Sequence, residues 1–184
     1  MGFRLGRAPD ELVVVRCRSH HVEIRLDGEE RSDPFTHEQV VVREEDSDPE
    51  IEGFEVTAAD VHHKGGRTFG YRVEADGRSF AYLPDHRLCE GSELAVGSRR
   101  LCEGVDVLVH DAQFTEPERA LAEAYGHSTI AEAIGFARDC DVGSLVLFHH
   151  SPVRTDGEME RIADDVAAAT LPVTVAGEGL TLVV

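Results

Sequence analysis

IEGFEVTAADVHHKGGRTFGYRVEADGRSFAYLPD, residues 51–85, carries the sharpest strand signal of the chain and runs into the dipeptide Asp85-His86. Residues 51–61 alternate as a strand does. Residues 68–85 read as two strands folded about Asp76-Gly77, a dipeptide that tolerates the positive φ angles of a tight hairpin. His62-His63 sit between these strands, ahead of a glycine-rich loop.

Downstream, the period changes. VDVLVH (105–110) is a short apolar run suited to a buried strand. Residues 116–125 read as a helix. Thr129-x-x-Glu132 is a capping box that opens the helix AEAIGFARDC. Ile130, Ala133, Ile134 and Ala137 then share one helical face. SLVLF (144–148) is another buried strand. Thr155-x-x-Glu158 opens a helix to about Ala169, and LPVTVAGEGLTLVV (171–184) closes with two strands. Upstream, ELVVVRC (11–17), HVEIRL (21–26) and EQVVV (38–42) read as strands, and REEDSDPE (43–50) as an acidic loop. The fold class is α/β (α+β), with sheet and helix in layers.

The chain of 184 residues suits one domain or a large part of one. Its net charge is −18, and Lys64 is its only lysine. Such a surface repels nucleic-acid phosphate and anionic membranes, and it suits a salt-loving host or a GC-rich genome. No apolar run approaches the roughly 20 residues of a membrane span, and Met1 is followed by no signal-like segment. A cytoplasmic protein is expected. Cys17, Cys89, Cys102 and Cys140 form no C-x-x-C pair, which argues against a cysteine zinc knuckle and for reduced thiols.

Polar residues gather where the apolar runs end: Asp85-His86, His110-Asp111, His149-His150, and His127 just before a helix. That is the usual layout of a site in a layered α/β fold. Imidazole nitrogen and carboxylate oxygen suit zinc or manganese, and a carboxylate can bridge two ions.

From residue 51 onward these segments, in this order, resemble the second half of a metallo-β-lactamase-fold hydrolase of the ribonuclease Z and phosphodiesterase kind. VTAADVHHKGGRTFGYRVE and YLPDH resemble two metal motifs of that family, which implies His63 as a metal ligand and Asp85 as the bridging carboxylate. SLVLFHHSP resembles its last motif, which implies His149 as a ligand of the second metal. VDVLVHDAQFT and GHSTIAEA resemble the segments of its catalytic pair. They imply His127 as proton donor to the leaving group, oriented by Asp111. His86, His110 and His150 are left as structural neighbours. The resemblance implies an αββα sandwich, two divalent metal ions (zinc, or else manganese) and a hydroxide shared by them as nucleophile.

Two departures shape the expectation. The family's H-x-H-x-D-H motif is absent from these residues; Ser19-His20-His21-Val22-Glu23 has neither its spacing nor its aspartate. Residues 1–50 are therefore unassigned, and 51–184 are expected to form the C-terminal half of the domain, incomplete at its N-terminal side. No RNA-binding arm fits between the Gly-Tyr-Arg strand and YLPDH, so a small phosphodiester or ester is the expected substrate and nucleic acid is not. The alternative is a non-catalytic half-domain or pseudo-enzyme that forms a homodimer or pairs with a separate N-terminal half.

Overall fold

The computed structural model describes residues 54–89 and 91–184 together with the backbone of three strands at 12–16, 21–25 and 50–51. Among the described residues no helix is long and apolar enough to cross a membrane.

The main sheet holds seven strands in sequential order: β3 (Glu50–Ile51), β4 (Phe54–Val61), β5 (Thr68–Ala75), β6 (Arg78–Leu83), β7 (Val107–Asp111), β8 (Ser144–Phe148) and β9 (Val173–Val175). From β3 to β6 the pairing is an antiparallel meander. From β6 to β9 it is parallel, and helices make the crossovers. These are α1 (Glu93–Cys102), then α2 (Arg119–Tyr125) with α3 (Ile130–Asp139), then α4 (Asp156–Val166). A smaller sheet of β1 (Leu12–Arg16), β2 (His21–Arg25) and β10 (Leu180–Val183) has β2 at its centre.

Strands β6 to β8 are buried on both faces, so their residues split between two cores. Phe80, Tyr82, Val109, Val146 and Phe148 pack on one side with Val184 and the partly buried Leu180 and Leu182. Their sequence neighbours Ala81, Leu83, Leu108, Leu145 and Leu147 pack on the other with Leu101 of α1, Phe136 of α3 and Ile162 of α4. Helices therefore cover one face and the β10 side covers the other. The described residues form the helix–sheet–sheet part of an αββα sandwich.

The hairpin about Asp76-Gly77 has φ of 50° and 77° at those residues, the left-handed pair that a tight two-residue turn requires. Thr129 and Thr155 both close capping boxes. Two sequence expectations are corrected. Residues 51–61 are not one strand, because Ile51 folds back to pair with Phe54. Helix α4 stops at Val166, short of Ala169. Helix α1, capped by Ser92, was not expected from the sequence. Gly97 in its middle lowers helix propensity but lets the helix lie directly on β4, where a Cβ would stand 3.0 Å from the Asp60 carbonyl. The run EQVVV (38–42) lies outside the described residues.

Of the described cysteines, all three are free thiols. Burial raises both Cys102, beside Cys140, and Cys140 itself, the latter to about 11. Since the thiolate is the reactive form, Cys89 is expected to label first among these three with Ellman's reagent. Peptide mass spectrometry reads the order, and equal labelling of Cys102 or Cys140 would count against the packing.

Candidate active site

Strands β4, β6, β7 and β8 all run in the same direction, so their C-terminal ends open on one edge of the sheet. His63 follows β4, Asp85 follows β6, Asp111 ends β7 and His149 follows β8. His127 enters from the loop between α2 and α3. The ligand atoms of His63, Asp85 and His127 lie within 4.8 Å of one another. His149 joins them: its Nε2 is 3.2 Å from Asp85 Oδ1, and its ring centre is 5.0 Å from that of His127. Four of the five residues named from the sequence thus meet at one point, and the fifth lies directly behind His127.

That fifth residue, Asp111, is fully buried. Its Oδ2 accepts hydrogen bonds from His127 Nδ1 at 2.5 Å and from the His86 backbone N–H at 3.0 Å, and its Oδ1 accepts from the Gln113 N–H at 3.1 Å. Three donors offset the cost of burying the charge. With Nδ1 committed to Asp111, His127 presents Nε2 to the cluster. His63 is held the same way, since its Nδ1 donates to the Gly126 carbonyl at 2.8 Å. A ring whose Nδ1–H is committed to an oxygen offers the lone pair of Nε2 to a metal.

Gly126 makes this possible. Its φ is 81°, and a Cβ there would stand 2.3 Å from the Lys64 backbone nitrogen. The chain at 63–64 can therefore pass close enough for His63 to reach the carbonyl. The Thr129 capping box holds the start of α3, and Ser128 Oγ donates to the His86 carbonyl at 2.7 Å. Together they tie the His127 loop to the loop that carries Asp85.

A buried polar chain runs behind the cluster. His110 Nδ1 donates to the Asp111 carbonyl at 2.6 Å, which leaves its Nε2 as an acceptor. His86 Nδ1 donates to that nitrogen at 2.8 Å, so His86 Nε2 is an acceptor in turn. Ser98 Oγ stands 3.0 Å from that nitrogen and donates its proton to the Leu94 carbonyl at 3.0 Å. Burial pushes His86 well down, aided by His110 and His62, and burial also lowers His110 against the opposing charge of Asp111. Two neutral rings are what this one-way chain requires. Sequence reasoning left His86 and His110 as structural neighbours and missed Ser98 and Gly126. Ser98 lies on the helix that was not expected, and Gly126 acts through its backbone.

Glu118 ties the segment before α2 to the chain beyond β8 through Arg154. Its Oε2 accepts from Thr115 N, Thr115 Oγ1 and Arg154 Nη2 at 2.7–2.8 Å. Partial burial opposes ionisation of Glu118, but these donors outweigh it and hold the carboxyl at about 2. A depressed carboxyl stabilises the fold fully above its ordinary value of 4.5 and loses that contribution as pH falls towards 2. The stability gap between wild type and Glu118→Gln is therefore expected to close between pH 4.5 and 2; urea titrations at several pH values measure it. His149 itself has φ of 58°, in the left-handed region that a histidine rarely adopts.

Two or three imidazoles beside a carboxylate form a donor set that fits a borderline divalent cation such as zinc. That cluster, at the strand ends of a mixed sheet with helices on one face and a second sheet on the other, is the architecture of a metallo-β-lactamase-type domain. The family described as "Beta-lactamase superfamily domain" matches residues 9–150. The chain belongs to this superfamily, in its ribonuclease Z branch. Ribonuclease Z of Nocardia farcinica is 47% identical over 76 residues, which are 41% of this chain and 23% of that protein. Ribonuclease Z of an Exiguobacterium species is 41% identical over 92 residues, half of this chain and 28% of that protein. The matched stretches thus span about a quarter of these relatives. Human tRNase Z, short form, superposes with a TM-score of 0.53 at 29% identity, covering 70% of this chain and 42% of that one. The fold protein YhfI of Bacillus subtilis reaches 0.61 at 18% identity, covering 80% of this chain and 56% of its own.

Proposed function

We propose that the chain is the catalytic C-terminal part of a metal-dependent hydrolase that cleaves a small phosphodiester. The observation that carries this reading is the buried Asp111–His127 pair, aimed at the point where His63, Asp85 and His149 converge. His63, Asp85 and His149 would hold the metal. A divalent cation there supplies Lewis acidity towards phosphoryl oxygens and lowers the pKa of a coordinated water.

The chain's own groups do the rest. Asp111 fixes the His127 ring so that Nε2 faces the cluster. A proton on Nε2 makes the ring cationic, and the Asp111 carboxylate neutralises that charge. Proton transfer from Nε2 to the leaving oxygen then avoids expelling an alkoxide. A small substrate fits better than RNA, although the relatives are ribonucleases by name. The net charge is −18, and only the Asp76-Gly77 turn separates β5 from β6, which leaves no arm for RNA there. The free thiols of Cys89, Cys102 and Cys140 suit a reducing, cytoplasmic setting.

The test uses purified chain with manganese or zinc against bis-p-nitrophenyl phosphate. His127→Ala is expected to cut turnover by roughly 10²–10⁴-fold while zinc affinity holds. Wild type no faster than His127→Ala rejects the reading. Loss of zinc binding in His127→Ala would recast His127 as a ligand.

A further inference from the structure

Two sequence dipeptides straddle the site. His63 and Asp85 belong to the cluster, but their immediate neighbours His62 and His86 do not. Instead they line a pocket of about 250 Å³ between the 85–91 loop and α1, behind the strand ends. Arg87 and Arg99 line the same pocket, Ser98 contributes to it from α1, and Phe136 adds an apolar wall. In a chain of net charge −18, this lining contains two arginines, two histidines and, among the described residues, no carboxylate. Arg99 meets Asp139 only at 3.8 Å, at the surface, and Arg87 makes one long bond of 3.4 Å to the Glu123 carbonyl. Neither guanidinium is saturated. His62 Nδ1 is buried and has no hydrogen-bond partner among the described residues.

We propose that this pocket binds the phosphate group of a small ligand, back to back with the metal cluster. Guanidinium forks match phosphate oxygens in two-point contact, and an imidazole N–H can complete the set. The volume sets the size. It falls below the 300–1,000 Å³ typical of drug-sized ligands, so it suits orthophosphate or a compact phosphomonoester and is too small for a nucleotide. The inference is independent of the hydrolase reading, because it needs neither metal nor turnover.

The test uses the full chain stripped of metal, in chloride buffer, titrated with orthophosphate or phenyl phosphate by calorimetry. Saturable one-to-one binding is expected. Arg87→Ala and Arg99→Ala should each weaken it by about tenfold or more, Arg99→Lys less so, and Asp85→Asn not at all. Tighter binding of phenyl phosphate would assign the pocket to esterified phosphate, and tighter binding of orthophosphate to the free ion. Movement of the His62 and His86 ring signals in the NMR spectrum of the unmodified chain gives a readout that no unfolded variant can confuse. Absence of saturable binding, still ring signals, or binding that Asp85→Asn abolishes and the arginine variants spare would overturn the proposal.

Discussion

Asp111→Asn should lower the thermal midpoint by roughly 5–15 °C and, if the chain turns over, cut the rate by up to about 10⁴-fold. The side chain is fully buried and accepts three hydrogen bonds, from His127 Nδ1 and from the backbone N–H groups of His86 and Gln113. An amide keeps one acceptor oxygen and turns an NH₂ towards at least one of those donors. The fold then holds a buried donor facing a donor, a loss of about 2–4 kcal/mol once the missing charge is included. His127 either loses its partner or turns over, and in both cases Nε2 no longer has a fixed aim. Differential scanning calorimetry reads the first effect and the phosphodiester assay the second. A variant as stable as wild type would mean that the Asp111 bonds are not formed in solution.

Gly126→Ala is expected to damage the site even more directly. The added methyl would stand 2.3 Å from the Lys64 nitrogen and 2.6 Å from its Cβ, with φ at 81°, so the 63–64 segment must move away. His63 then loses the carbonyl that fixes its tautomer, a change expected to weaken zinc binding by about 10–100-fold. Gly77→Ala is the matched control. Its φ of 77° is equally unfavourable to alanine, but nothing lies within 4 Å of the added carbon. It should cost roughly 1–2 kcal/mol of stability and leave zinc affinity alone. Equal zinc affinity in both variants would detach His63 from the metal role.

The parts of this molecule that were legible from sequence are those in which a residue's type and its local period agree. Alternation in Phe54–Val61, the Asp76-Gly77 turn and the Thr129 and Thr155 capping boxes each report a structure made within a few residues. Imidazoles and carboxylates at strand ends were visible for the same reason. Elements that depend on a distant partner were not. Helix α1 carries a glycine that only makes sense against β4, and Gly126 only against Lys64. The buried contacts of His86 with His110 and Ser98 span up to 24 residues, and no local pattern encodes them.

His149 places a histidine where glycine or asparagine would sit with less strain. Relief of that strain and retention of the imidazole are in direct conflict at this one position. A library of variants screened for heat resistance alone should therefore enrich glycine at 149, trading the imidazole for a hotter melting point. Selection for turnover should drive the position back to histidine.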